Sequence, residues 1–423
     1  VVEYAVRAGS ALGCEIARDS RLDRKNYFYP DLPKAYQISQ YERPLCKNGS
    51  VEIITDRGSK KIGITRIHIE EDAGKLVHDA KLGTLIDCNR CGIPLIEIVS
   101  EPDLRSAAEV DAYLKKLRSV LRYCGVSDCR MDRGQMRADV NLSLRRRGEE
   151  AFGTRTEMKN LNSFQFISRA IAREAERQAA LLDAGGEVVQ ETRRFDPESD
   201  RTFPLRSKEE ASDYRYFPDP DLPPIHISDE WIAKIRTELP EFREEKAARY
   251  QSEFGLPEYD SQILTESRHL AALFEDVATL SGNPKKAANW FMVEVLRLMK
   301  EKGIEAEKLR FTPQHLADLL TMVDKKEVSP QNAKKVFEKV FDEDVDPIAY
   351  VEEHGLKIVE DTGLLSSTIS RILDENPGPL SELLGGKEKV MGFFVGQIMK
   401  EMKGKANPAS VREALLAEVE KRK

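Results

Sequence analysis

The chain has 423 residues, with 66 Lys and Arg against 73 Asp and Glu for a net charge of −7. A hydrophobic share of 40% with a mean hydropathy of −0.49 excludes a disordered chain, and no apolar run approaches the roughly 20 residues of a membrane-crossing helix. The acidic balance excludes a wholly basic nucleic-acid binder, but it leaves room for local basic faces. The length suits about three domains. Six cysteines are too few for a disulfide scaffold, so a reducing, cytoplasmic setting is the default and no membrane partner is expected.

Residues 1–9 read as part of a helix. Strands are expected over 51–54, 61–69, 93–99, 135–145 and 154–161, where β-branched residues alternate with polar ones. Ser106 and Glu109 form a capping box ahead of a helical stripe from Val110 to Leu121, and Gly125 is its stop. A second helix is expected from Ser163 to about Leu182, ending at Gly185-Gly186. The prolines at 218, 220, 223 and 224 forbid helix, and beyond Ser228 the pattern is almost wholly helical. Thr312-Pro313 and Ser329-Pro330 are helix starts. Val390, Phe394, Ile398 and Met402 form an apolar stripe, with Gly392 and Gly396 on an adjoining face open to close helix approach. Asn407-Pro408 opens the last helix.

The most informative stretch is 136–145. On a strand, Met136, Ala138, Val140, Leu142 and Leu144 take one face, and Arg137, Asp139, Asn141, Ser143 and Arg145 take the other. A solvated sheet face is the bland explanation of the polar row; a phosphorylated or metal-bound ligand is the sharper one. Arg155, Glu157 and Lys159 repeat the pattern on the next strand, and Thr65–Lys75 runs from a strand into Glu70, Glu71 and Asp72. Carboxylates from separate strands suit Mg²⁺, and neighbouring cations suit phosphate. Neither a P-loop nor a strand-linked dinucleotide motif is present. Cys88 and Cys91 have metal-ligand spacing but lack a second pair at zinc-ribbon spacing, and His68 is as readily a hydrogen-bonded strand residue as a ligand. Lys400, Lys403 and Lys405 cluster near the end, either as a solvated face or as a contact for a nucleic-acid backbone.

Several long segments closely resemble the GatB family, the B subunit of the bacterial aspartyl/glutamyl-tRNA amidotransferase. They include Tyr29-Pro30-Asp31-Leu32-Pro33-Lys34, Ile67-His68-Ile69-Glu70-Glu71-Asp72-Ala73-Gly74-Lys75 and Asn89-Arg90-Cys91-Gly92-Ile93-Pro94-Leu95-Ile96-Glu97. Thr156-Glu157-Met158-Lys159-Asn160-Leu161-Asn162, Asp213-Tyr214-Arg215-Tyr216-Phe217-Pro218 and Gly404-Lys405-Ala406-Asn407-Pro408 extend the likeness along the chain. The resemblance implies an α+β fold: a sheet-containing cradle over 1–227, a helical domain over 228–345 and a small helical YqeY-like, tRNA-binding tail over 346–423. It implies phosphorylation, with ATP and Mg²⁺, of the side-chain carboxylate of Glu-tRNA(Gln) or Asp-tRNA(Asn). Ammonia from the amidase subunit, which a small third subunit ties on, then displaces the phosphate.

By that resemblance Glu70, Glu71 and Glu157 bind metal, and Arg137, Asp139, Asn141 and Lys159 line the nucleotide pocket. Lys34 and Glu71 sit where ammonia enters, with Glu71, Lys34 and Glu157 as catalytic groups. Lys400, Lys403 and Lys405 contact tRNA. The family begins several dozen residues earlier, with a Gly-Leu-Glu-Val-His-type motif and a Cys-x-x-Cys segment that supply a glutamate and a histidine to the metal site. The chain is therefore expected to be a fragment of a longer protein. A non-catalytic tRNA-binding or scaffolding role in the same complex is the alternative.

Overall fold

The structure, a computed structural model, describes the backbone of residues 1–79, 81–207, 214–358, 362–385, 387, 389–402 and 408–422. It describes the side chains of these residues except 206, 207, 362, 364, 408 and 409. The chain divides into two compact units, Val1–Phe242 and Arg243–Lys423.

The first unit opens with helix α1 (Val2–Ala11), whose Ala5, Val6 and Ala8 are fully buried. Strands β1 (Asp23–Asn26), β2 (Tyr36–Ser39), β3 (Cys46–Thr55) and β4 (Gly58–Glu71) follow. β3 and β4 make a hairpin that pairs Thr55 with Gly58 across the two-residue turn Asp56-Arg57, and Gly58, the first residue after the turn, takes a positive φ of 104° that glycine adopts freely. A small exposed hairpin, β5 (Lys75–Asp79) with β6 (Gly83–Asp87), leads into β7 (Pro94–Ser100). The main sheet is antiparallel, in the order Glu15–Ile16, β3, β4, β7. Alternation along β4 sends Ile62, Ile64, Ile67 and Ile69 into the core shared with α1 and α2 (Ala107–Tyr123). The bulge between Ile64 and Arg66 resets that alternation.

The second sheet runs β8 (Ala138–Leu142), β9 (Thr156–Leu161), β10 (Glu191–Asp196), β11 (Arg201–Ser207). β9 and β10 are parallel, joined through α3 (Phe164–Asp183). β8 is shorter than the expected 135–145. Gly134, at φ 66°, closes a 3-10 turn just ahead of it, and a turn from Arg146 to Glu149 follows it. The alternation itself stands, with Ala138, Val140 and Leu142 half-buried and Asp139 and Asn141 exposed. β4 is longer than expected because β3 and β7 flank it on both sides.

The proline-rich 217–224 segment returns to the first unit instead of leaving it. Phe217–Pro218 pairs with β1, and Ile225–His226 pairs with Asp19–Ser20. Helix α4 (Asp229–Thr237) then packs Ile232 and Ile235 into the same core. The helical texture thus begins before the first unit ends.

The second unit is helical throughout its described residues apart from one isolated bridge, Val328 to Lys357. It holds two separate apolar clusters, one from Tyr250 to Val351 and one from Ile369 to Val419. Pro313–Asp324 and Pro330–Glu343 start at the expected prolines. Phe394, Ile398 and Met402 are buried as the stripe required, but no atom of another described helix lies within 4 Å of a Cβ built on Gly392 or Gly396. No described helix is long and apolar enough to cross a membrane.

Candidate active site

The end of β4 gathers the first group of candidate side chains. Strand period two puts Arg66, His68 and Glu70 on one face, away from Ile67 and Ile69, and register places Glu97 of β7 directly beside His68. His68 Nε2 lies 3.5 Å from Glu70 Oε1 and 3.7 Å from Glu97 Oε2, and one ligand atom from each of the three fits within 4.8 Å. His68 and Glu70 are buried, and His68 Nδ1 has no hydrogen-bond partner among the described residues. Glu70 also receives the Ser39 hydroxyl at 2.9 Å and the Lys25 ammonium at 3.3 Å.

Burial alone would lift the Glu70 carboxyl, but the His68 hydrogen bond and the Lys25 charge outweigh it and hold the group below the usual carboxylate range. Burial, then repulsion from Glu70, raises Glu97. Two carboxylates and an imidazole with a spare nitrogen fit a divalent cation; the carboxylates match the oxygen preference of Mg²⁺.

Glu71 faces the other way and belongs to a different contact. Both its oxygens take the Lys34 ammonium, at 2.8 and 2.6 Å, and Oε2 accepts the Ile38 amide at 3.2 Å. Asp72, buried at 7% exposure, receives Arg90 at 2.9 Å and Arg137 at 2.8 Å. Arg137 precedes β8, so this carboxylate ties the second sheet to the end of β4. Lys159 of β9 holds Asp139 at 2.6 Å and Glu157 at 3.2 Å, and Glu157 also takes the Thr192 hydroxyl at 3.1 Å. Burial works against the charge on Lys159, but Asp139 and Glu157 more than offset it and raise its pKa. Asn141 is exposed opposite Glu157 in the ladder.

Behind β9 a buried polar network fixes its position. Thr156 and Met158 point into the core, while Glu157 and Lys159 point to the site. Glu174 of α3, fully buried, accepts Thr156, Gln178, Thr202 and Arg177 and lies 3.1 Å from Arg193. Burial would raise its pKa; those donors hold it at about 2.

Expectation and structure thus meet unevenly. Glu70 joins a possible metal cluster, but its companions are His68 and Glu97, whereas Glu71 is engaged by Lys34 and Glu157 by Lys159 and Thr192. The pocket row of Arg137, Asp139 and Lys159 is joined by ion pairs. Lys400 is exposed at the end of the helix Lys389–Glu401, while Lys403 and Lys405 lie outside the described residues. Sequence reasoning gave no role to Lys25, Arg66 or Glu97, and took Asp72 only as a member of the acidic cluster that ends β4. Glu97 and Asp72 stood inside quoted motifs, but only the β4–β7 register brings Glu97 to His68.

Comparison with known proteins bears on the whole chain. A profile described as the GatB/GatE catalytic domain matches residues 1–233, and one described as the GatB domain matches 272–419. The aspartyl/glutamyl-tRNA(Asn/Gln) amidotransferase B subunit of Lachnoclostridium phytofermentans is 55% identical over 416 residues, 98% of this chain and 87% of that protein. The B subunit of Agathobacter rectalis is 55% identical over 417 residues, 98% of this chain and 88% of that protein. That of Caldicellulosiruptor saccharolyticus is 52% identical over 424 residues, 99% and 88%. On that identity and coverage, the chain belongs to the GatB family.

Proposed function

We propose that the chain is the subunit of a tRNA-dependent amidotransferase that activates the side-chain carboxylate of Glu-tRNA(Gln), Asp-tRNA(Asn) or both. A carboxylate resists amidation because oxide is a poor leaving group; a phosphoryl group from ATP turns that oxygen into phosphate, which leaves readily. Ammonia then attacks the carbonyl carbon, the C–O bond to phosphate breaks, and a proton is lost from nitrogen. The observation that carries this reading is the convergence of His68, Glu70 and Glu97 at the end of the strand whose next residue, Glu71, is clamped by Lys34.

His68, Glu70 and Glu97 would hold Mg²⁺, which when bound neutralises phosphate charge. Glu71 is the natural acceptor for a proton from ammonium or from the attacking nitrogen, and Lys34 orients it. Arg137, tied to Asp72 at the end of β4, and Asp139, Asn141, Glu157 and Lys159 would line the nucleotide pocket; Lys159, with its charge reinforced, addresses phosphate oxygens. The amidase subunit, held by a small third subunit, completes the cytoplasmic complex, and Lys400, Lys403 and Lys405 of the tail meet tRNA. The test is amidation of Glu-tRNA(Gln) by the full-length protein assembled with both of those partners, with ATP and glutamine. Glu71→Gln is expected to lower amidation about 100-fold or more while glutamine binding by the amidase persists. Wild-type amidation in that variant would remove Glu71 from the mechanism.

A further inference from the structure

Most cations around the site already hold a carboxylate. Lys25 holds Glu70, Lys34 holds Glu71, Arg90 and Arg137 hold Asp72, and Lys159 holds Asp139. Arg66 does not. It lies on the same face of β4 as His68 and Glu70, half-buried. Its Nε is buried without a hydrogen-bond partner, and its guanidinium makes no ion pair among the described residues. Directly opposite it in the ladder stands a second cation, Lys47 of β3, whose ammonium reaches only the Glu42 carbonyl at 3.4 Å among the described residues.

Two cations facing each other across a sheet repel, and a half-buried guanidinium without a partner forfeits hydration that nothing in the described fold returns. Both costs are removed by an anion. A guanidinium offers a planar fork that matches phosphate oxygens. Arg66 is two residues from His68, about 7 Å along the strand and on the same face, so one extended anionic ligand can reach both. Tyr216 feels the charges of Glu70, Arg66 and Glu97, which puts it near this face, and Tyr41 stacks on it with ring centroids 4.5 Å apart.

We propose that Arg66, assisted by Lys47, is an oxyanion subsite that takes phosphate oxygens of the nucleoside triphosphate on the same face as His68, Glu70 and Glu97. This rests on the ATP-dependent reading above and assigns it residues of its own. The experiment titrates the full-length complex with ATP and Mg²⁺ by calorimetry and measures the KM for ATP and for aminoacyl-tRNA. Arg66→Ala is expected to weaken ATP binding roughly 10- to 100-fold, as loss of a charged hydrogen bond would. Arg66→Lys should restore part of it, Lys47→Ala should weaken it several-fold, and the KM for tRNA should stay within twofold.

ATP affinity within twofold of wild type in a folded Arg66→Ala overturns the assignment, as does a rise in the tRNA KM alone, which would give the anion to the RNA backbone. Should Arg66→Ala fail to fold, the exposed Lys47→Ala and the conservative Arg66→Lys decide in the same way. A wild-type complex that binds ATP through Arg66 but does not amidate would overturn the reaction while leaving the subsite standing.

Discussion

Glu174 and Glu97 show what a carboxylate does at two depths of one fold. Glu174 is fully buried among donors, and its native pKa of about 2 lies below the ordinary 4.5. A depressed carboxylate stabilises the fold fully above its unfolded pKa, and the contribution fades as the pH falls towards the native value. Glu174→Gln, which leaves buried Arg193 short of a counter-charge, should cost about 3 kcal/mol near neutrality. The gap in Tm between the variant and wild type should be constant above about pH 5 and narrow steadily towards about pH 2. A gap that widens on acidification would contradict the assignment. The Glu97 side chain is only half-buried and lies beside the like charge of Glu70, so Glu97→Gln should leave Tm unchanged while lowering Mg²⁺ affinity about tenfold or more, read by calorimetry. His68 was legible only as an ambiguous residue, because a histidine in a strand becomes a ligand through what faces it.

The elements were legible where local signals are strong. The Ser163 hydroxyl accepts the Phe166 amide and starts α3, and Ser106 accepts the Glu109 amide and starts α2, as the sequence requires. Ser163→Ala should therefore lower stability by about 1 kcal/mol, or roughly 2–4 °C in the Tm of the first unit, by thermal denaturation. The capping box at 106–109 is only half realised: Glu109 reaches the Arg105 amide at 2.7 Å and Lys60 at 2.8 Å, not the Ser106 amide. Lys60 comes from β4, so a tertiary contact redirected a local motif. The ends of β4 and β8 were misread for a related reason. Ladder partners lengthen a strand and turns on either side shorten it, and neither is written in the strand itself.

At the scale of the molecule, a change of texture is not a change of unit. The prolines of 217–224 forbid helix, yet Phe217–Pro218 and Ile225–His226 complete ladders in the first unit, and α4 adds Ile232 and Ile235 to its core. The same lesson refines the proposed tRNA-binding tail. Val351 is buried in the cluster that begins at Tyr250, and the Ile358 amide donates to the Glu327 carbonyl at 2.8 Å. Truncation after Val345 would strip that cluster, whereas truncation after Ile358 spares it. The second cut is expected to weaken tRNA binding and flatten its salt dependence while Tm stays within roughly 2–4 °C of wild type. Filter binding over a salt series checks this; unchanged affinity and slope would leave Lys400 and its neighbours as a solvated face.

The sequence by itself determined the α+β order, the helix starts, the two faces of β8 and the long motifs that place the chain in its family. These are encoded within a few residues or in unbroken runs. Tertiary structure decided which carboxylates share a site. Glu70 and Glu71 are neighbours in the chain and face opposite ways, whereas His68 and Glu97 lie far apart in the chain and meet through the register of β4 with β7. A strand sends successive side chains to opposite faces, so adjacency in sequence separates what pairing across a sheet unites.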